Sequence, residues 1–190
     1  MPLTTLDPST ALIVIDLQKG IVNGNFVHPI GEVIGRTRAL IDVFRAKSLP
    51  VVLVNVAGRA PGRTEQGSRS SQTFAEGWAD LLPQLDQQPG DIVVTKRSWG
   101  AFATTDLEGQ LKARGVTQVV VTGVATAGGV EATARQAYEL GFNVTLALDA
   151  MTDIRAEAHE YSIRSVFPRL GETGSTQEII SLLETRSSAS

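Results

Sequence analysis

Three groups of residues that could carry out chemistry follow predicted strands of this chain. Asp16 lies at the end of the first apolar run, Lys96 ends the third, and a small-residue turn, "GVATAGG" (123–129), ends the fourth. The carboxyl ends of parallel strands share one edge of a sheet, so these groups are predicted to converge there although they are far apart in the sequence. A carboxylate, an ammonium and backbone N–H groups at the start of a helix form a candidate catalytic set.

Each of these groups also has a purely structural interpretation. An Asp at a strand end often caps nearby backbone N–H groups, a Lys after a strand is commonly a solvated charge, and small residues between a strand and a helix commonly serve close packing. The chain contains no cysteine, which excludes disulfides, zinc–thiolate sites and covalent thiol catalysis. The pattern alone therefore leaves the catalytic and structural interpretations open.

The elements that must position these groups alternate between strands and helices. Five apolar runs are continuous, as in strands that are buried on both faces of a parallel sheet. This alternation predicts an α/β fold, a three-layer α/β/α sandwich with a central, mostly parallel sheet. We expect a single domain over residues 1–190, with 183–190 as a frayed tail. The runs are 10–17, 50–56, 91–96, 118–124 and 143–149.

Apolar residues at helical spacing predict the helices that cover this sheet. The last helix opens with a capping-box pattern, Ser175 with Glu178. The loop "GRAPGRTEQGSRSSQ" (58–72) follows the second run and is predicted either to cover a site at the carboxyl edge or to be a solvated excursion. The apolar helix positions are Val33, Thr37, Leu40, Ile41 and Phe44; Leu107 and Leu111; Val130, Ala134, Ala137 and Tyr138; and Ile179, Ile180, Leu182 and Leu183.

The composition points to no macromolecular partner. Apolar residues make up 42% of the chain and the formal net charge is -3, with the basic residues scattered rather than clustered, which disfavours nucleic-acid binding. No apolar run approaches the ~20 residues that a membrane span needs, and the N-terminus lacks the features of a signal peptide. We therefore expect a cytoplasmic protein that binds neither nucleic acid nor membranes.

Four motifs in order carry a resemblance to a known family. They are "ALIVIDLQKGIV", "VTKRSWGAFATTDLEGQLKARGV", "VVVTGVATAGGVEATARQAYELGFNVTLALDAMTD" and "VFPRLGE". Together they resemble the isochorismatase-like hydrolases, a family that includes nicotinamidases and N-carbamoylsarcosine amidohydrolases. The similarity extends from about Thr10 to about Leu183, and it implies an isochorismatase-like fold and a hydrolytic activity.

The resemblance assigns roles to individual residues. In the amidase branch the catalytic set is Asp, Lys and a Cys within a "GVATxxC" turn; Asp16 and Lys96 match the first two, and Gly129 stands at the position of the Cys. Isochorismatases with Gly at this position hydrolyse a vinyl ether without a covalent intermediate, using the Asp as an acid. Their turn carries an aromatic residue where this chain has Ala125. The chain is most similar to a third branch, which keeps Asp and Lys but has Gly.

The resemblance also implies features of the pocket. It implies a cis peptide bond between Val124 and Ala125, with backbone N–H groups of the turn aimed into the site. Trp99 and Phe102 are expected either to wall the pocket or to pack in the core. Gln18, two residues after Asp16, faces the same way if the strand continues, so it is a candidate for orienting the acid or a water molecule.

Cofactors and metals are not expected. His28 and His159 are two residues far apart in the sequence, and the chain has no "HExxH" motif. Members of the family commonly self-associate, so the resemblance implies a homodimer or a higher homo-oligomer. A small molecule is the expected binding partner.

Two hypotheses about function follow. The first is a cofactor-independent hydrolase that acts on a small anionic molecule without a covalent thiol intermediate, by vinyl-ether or related C–O or C–N hydrolysis. The second is a non-catalytic binding protein or pseudoenzyme derived from a cysteine amidase. Under the first, burial would raise the pKa of Asp16 and a nearby Lys96 would lower it, and the sequence leaves open which effect is larger.

Overall fold

A six-stranded parallel sheet forms the centre of the protein, in the strand order β3-β2-β1-β4-β5-β6. The structure is a computed structural model that describes residues 3–65 and 73–185. The predicted strands are all present, and helices flank the sheet, which confirms the predicted α/β fold. The strands are β1 (Thr10–Ile15), β2 (Val51–Val56), β3 (Ile92–Lys96), β4 (Gln118–Val124), β5 (Asn143–Thr152) and β6 (Glu172–Gly174).

Helices cover the sheet and enclose an apolar cluster on each face. On one face lie the buried positions of α1 and α5, and on the other those of α2 and α3. Strands β1, β2, β4 and β5 contribute side chains to both clusters, as the sequence predicts. The edge strand β3 does not: its burial alternates and Val93 is 43% exposed, because only one of its faces is covered. The helices are α1 (Ile30–Ala46), α2 (Leu107–Ala113), α3 (Glu131–Glu139), α4 (Ala156–Tyr161) and α5 (Thr176–Thr185).

Some expectations about these elements are corrected by the structure. Tyr138, placed on the buried face of α3, is 54% exposed because the apolar face there ends with Ala137. The frayed tail does not begin at residue 183: α5 continues to Thr185, and Leu183 packs in the core. Strand β5 extends beyond residue 149, to Thr152, through a register shift relative to β4. The end of the tail (186–190) and part of the long loop (66–72) lie outside the described residues.

The order of the strands defines where a ligand site is expected. The chain runs from β1 to β2 to β3, and then returns to place β4 on the other side of β1. The crevice of such a sheet lies outside the carboxyl ends of the strands at this reversal, between β1 and β4. Gly123 allows the two strands to approach here, because it has φ of +109° and any Cβ would collide with the backbone oxygen of Ile15. Within the described residues no helix is long and apolar enough to cross a membrane.

Candidate active site

Asp16 and Lys96 form a buried ion pair at the carboxyl edge of the sheet. Lys96 Nζ lies 2.8 Å from Asp16 Oδ2, and it also donates to the backbone oxygen of Ser98 at 3.2 Å. Asp16 is 5% exposed and Lys96 is 1% exposed. Asp16 follows β1 with a left-handed φ of +53°, while its backbone N–H still bonds to Val54 on β2. The change of backbone conformation ends the strand at the residue that carries the carboxylate.

The two oxygens of Asp16 have different surroundings. Oδ2 accepts the hydrogen bond from Lys96, whereas Oδ1 is buried and has no hydrogen-bond partner among the residues that the structure describes. Burial raises the pKa of Asp16 from 3.8 to about 6, although the charge and hydrogen bond of Lys96 act to lower it. Burial is therefore the larger of the two opposing effects. A carboxyl group of this pKa can take up and release a proton near neutral pH.

Residues 124–130, which we call the elbow, connect β4 to α3 beside Asp16. The peptide bond between Val124 and Ala125 is cis, as the resemblance implies. A Cβ atom built on Gly129 would lie 3.1 Å from Asp16 Oδ2 and 2.9 Å from Ile15 Cγ2. Any side chain at position 129 would therefore project onto the Asp16 carboxylate. The structure thus brings Asp16, Lys96 and Gly129 together.

Several backbone N–H groups of the elbow already have acceptors. Those of Gly128 and Val130 donate to the oxygen of Ala125 at 3.0 and 3.2 Å. That of Ala127 donates to Asp153 Oδ2 at 2.8 Å. The resemblance implies that the turn presents its N–H groups to a ligand. These three N–H groups do not, because each donates to an acceptor within the protein.

Asp153 is a residue whose importance the sequence interpretation missed. Its buried carboxylate accepts hydrogen bonds from the backbone N–H groups of Ala127, Ile154 and Arg155 at 2.8, 2.8 and 3.2 Å. It therefore fastens the elbow to the end of β5. The sequence signal that could have indicated this residue is the second Asp of "DAMTD" (149–153), a motif that follows an apolar run. Asp149, the first, accepts from the backbone and hydroxyl of Thr176 and so caps α5.

His28 and His159 are close in space despite their separation in the sequence. Their ring centroids lie 4.7 Å apart. His159 Nδ1 is 2.8 Å from the hydroxyl of Thr126 in the elbow, and His28 Nδ1 is 3.1 Å from the hydroxyl of Thr152 at the end of β5. The fold therefore brings together two histidines that are 131 positions apart in the sequence. The structure nevertheless contains, among its described residues, no group of three or more His, Asp or Glu side chains suited to a metal ion.

The expected pocket residues do not line this centre in the expected way. Gln18 is not hydrogen-bonded to the Asp16 carboxylate; its amide accepts from the N–H of Val56 and donates to the backbone oxygens of Val56 and Trp78. The amide therefore binds β2 to the segment that follows the long loop. Phe102 packs in the core and stacks on Phe142. Trp99 is 71% exposed, so its ring does not pack in the core.

The ion pair is nearly closed from solvent. Two surface cavities, of about 720 and 410 Å³, lie at the amino ends of the strands, where residues such as Pro50 and Asn143 contribute to their walls. Neither is lined by Asp16 or Lys96. The paired charges and the elbow lie at the opposite, carboxyl edge of the sheet, where ligands bind in open parallel sheets.

A doubly wound parallel sheet with an Asp–Lys pair beside a strand-to-helix elbow defines a class of α/β hydrolase. Residues 10–178 match the model of the isochorismatase domain, and the chain belongs to the isochorismatase family. It is 40% identical over 177 residues to the isochorismatase family protein YwoC of Bacillus subtilis, covering 90% of this chain and 92% of that protein. YecD of Escherichia coli O157:H7 is also 40% identical, with coverage of 92% and 96%.

A solved structure extends this similarity to three dimensions. An isochorismatase family protein from Burkholderia thailandensis superimposes with a TM-score of 0.89 and 39% sequence identity. The superposition covers 95% of this chain and 98% of the other. The fold that contains this strand order and this elbow is therefore shared with the Burkholderia thailandensis protein along nearly the whole chain.

Proposed function

We propose that the protein is a hydrolase that uses Asp16 as its acid–base group and forms no covalent thiol intermediate. The proposal rests on Asp16, a buried carboxyl group beside the elbow whose Oδ1 has no hydrogen-bond partner among the described residues and whose pKa is about 6. With no cysteine in the chain, the nucleophile in this proposal is water. Roles for Asp16, Lys96 and Gly129 in catalysis follow from this assignment.

Vinyl-ether hydrolysis fits such a group. Protonated Asp16 would donate its proton to the terminal carbon of the enol ether, which leaves an oxocarbenium ion. Water adds to that ion, its proton returns to the Asp16 carboxylate, and the resulting hemiketal breaks into a keto acid and an alcohol. Acid–base catalysis of this kind contributes about 10²–10⁴-fold to a rate. The same carboxylate could act as the base that activates water in related C–O or C–N hydrolysis.

Lys96 and Gly129 have distinct parts in this proposal. Lys96 holds Oδ2, which leaves Oδ1 as the proton-transferring atom, and its ammonium favours an anionic ligand nearby. Gly129 leaves the space beside Oδ2 without a side chain. Val124 and Ala125 bring the elbow to the carboxylate, and in this proposal backbone N–H groups of the elbow bind a substrate oxygen.

A non-catalytic binding protein is the second candidate, and one observation favours it. Asp16 and Lys96 have so little exposed surface that a substrate must displace part of the protein to reach Oδ1. Against this candidate stands the cost of a buried, unpaired carboxylate oxygen, which a purely structural ion pair has no reason to keep. We therefore favour the enzyme.

The test is pyruvate release from isochorismate by the purified protein, with Asp16→Asn beside the wild type. We expect release by the wild type and a rate at least about 10²-fold lower in the variant, because Asn has the shape of Asp but cannot transfer the proton. Asp86→Asn is a matched control, since Asp86 is an exposed residue that pairs with Arg38. Circular dichroism of each variant confirms that it is folded.

The outcomes separate the candidates. Equal release by the wild type and Asp16→Asn would contradict the role of Asp16. Absence of hydrolysis of isochorismate or of any other vinyl ether or amide, with tight binding of a small anion that persists in Asp16→Asn, would favour the binding protein. Absence of release from isochorismate but hydrolysis of another vinyl ether or amide, lost in Asp16→Asn, would support the mechanism and correct the substrate.

A further inference from the structure

A chain of polar contacts leads from the surface to the back of the elbow. Thr126, in the elbow, is fully buried, and its hydroxyl contacts His159 Nδ1 at 2.8 Å. The ring of His159, which is 4% exposed, stands 4.7 Å from the ring of His28. His28 is exposed and reaches Thr152 through both its backbone N–H and its Nδ1, at 3.2 and 3.1 Å. None of these groups contacts Asp16 through a hydrogen bond in this arrangement.

Two neutral imidazoles fit this arrangement better than two charged ones. A neutral ring can accept the proton of a threonine hydroxyl, whereas a protonated ring has only donors, so the buried hydroxyl of Thr126 would need another acceptor. Two positive charges at this separation also repel each other. When His159 takes up a proton, its Nδ1 becomes a donor to the Thr126 hydroxyl, so this hydrogen bond reverses and the buried hydroxyl proton loses its acceptor.

Charged groups on the elements packed against His159 influence its pKa. Burial and the neighbouring His28 lower the pKa of His159, while Glu160 on α4 and Asp153 at the end of β5 act to raise it. From the start of α3, Glu131 is bound by Ser162 and by an arginine of its own helix. The net effect is a pKa below the usual 6.5, which keeps His159 neutral around neutral pH.

We propose that His159, packed against His28, forms a proton-responsive clasp that regulates the active site: a neutral His159 ring holds the elbow against Asp16 through Thr126, and proton uptake by His159 releases it. The inference deepens the proposed function, because it takes the elbow as part of the active site. It makes His159 a positioning residue that acts through Thr126. A reaction that depends on the elbow would then lose rate at acidic pH even where Asp16 is protonated and ready to act.

The test follows the elbow directly and needs no substrate. The backbone N–H resonances of Ala127 and Gly129 are followed by ¹⁵N NMR from about pH 8 to about pH 5, a range that spans the titration of histidine. The measurement is made in Asp16→Asn, so that titration of Asp16 cannot move these resonances. We expect both to shift with a common midpoint below 6.5, and we expect His159→Gln to abolish the shift.

A second variant gives the outcome that a merely structural role would not produce. His28 lowers the pKa of His159, so His28→Gln should move the midpoint of the elbow transition to higher pH. His28 is exposed, so this variant is expected to fold. Elbow resonances that do not titrate in Asp16→Asn, or a midpoint that His28→Gln leaves in place, would overturn the clasp. Because the NMR measurement needs no substrate, it tests the clasp independently of whether the protein releases pyruvate.

Discussion

Asp16 and Asp153 are two buried aspartates at the same edge of the sheet, and their oxygens are satisfied in opposite ways. Asp153 accepts three backbone N–H groups, two on one oxygen and one on the other. Asp16 receives one ammonium on Oδ2, and within the described ranges 3–65 and 73–185 no hydrogen bond reaches Oδ1. A fully bonded carboxylate stabilises the local backbone, whereas an unpaired oxygen retains its capacity to bind a proton or a ligand.

Asp16 and Asp153 have similar positions in the fold but different chemical surroundings. Both residues follow an apolar strand, and both contact or adjoin the elbow, so their place in the fold does not distinguish them. The hydrogen bonds of their carboxyl groups distinguish the two residues. Asp153 determines where the elbow lies, and Asp16 is the group on which the elbow converges. The four predictions that follow test this division.

The largest expected effect is on removal of the counterion of Asp16. In Lys96→Met the carboxylate would stay buried without its partner, which costs about 3–5 kcal/mol of unfolding free energy. Urea unfolding should show the greater loss near pH 8, where Asp16 is ionised, and a smaller loss near pH 5, where it is protonated; these pH values are about two and one units from its pKa of about 6. Lys112→Met, at an exposed pair with Glu108, is the control and should change stability by about 0.5 kcal/mol or less. An equal loss at both pH values would contradict an ionised Asp16.

The second prediction concerns the pH dependence of stability. The pKa of Asp16 is about 6 in the folded protein and 3.8 as a reference for the unfolded chain. Between these values the folded state binds more protons, so the contribution of Asp16 to stability is complete below 3.8 and is lost as pH rises through about 6. The loss amounts to about 3 kcal/mol. Subtracting the stability profile of Asp16→Asn from that of the wild type should reveal this slope; a flat difference would show that Asp16 titrates normally.

Asp153 should behave as a structural carboxylate. In Asp153→Asn one oxygen becomes an NH₂ group that faces backbone donors, so we expect a loss of about 1–3 kcal/mol in unfolding free energy. The slope assigned to Asp16 should persist in this variant. Chemical denaturation at several pH values measures both quantities together. An Asp153→Asn protein as stable as the wild type would remove the distinction between the two aspartates.

The sequence was sufficient to predict most of the framework. Continuous apolar runs located five of the six strands, because burial on both faces leaves a strong pattern. Strand β6 is three residues long, and α4 has six, so neither carries enough periodicity to detect. The convergence of Asp16, Lys96 and the elbow followed from parallel topology, since the ends of parallel strands must meet at one edge.

What the sequence could not supply was the pairing of side chains across elements. The contact between His28 and His159 depends on how the segment before α1 packs beside α4, which no local pattern encodes. Gln18 lies two residues after Asp16, as expected, but its amide hydrogen-bonds to the backbone N–H and oxygen of Val56 at the end of β2. The balance between burial and Lys96 at Asp16 likewise depends on how many atoms surround the carboxylate.

The smallest effect tests the space beside Asp16. A Cβ at Gly129 would lie 2.9 Å from Ile15 Cγ2 and 3.1 Å from Asp16 Oδ2, so Gly129→Ala requires both neighbours to shift. We expect a loss of about 1 kcal/mol in thermal or urea unfolding, the low end for overpacking. Gly35→Ala is the matched control: it makes the same chemical change inside α1, where a Cβ would meet nothing within 4 Å, and should add about 1 kcal/mol. If both variants gained stability, the elbow would have room for a side chain, and glycine at position 129 would need an explanation other than the close approach of Asp16.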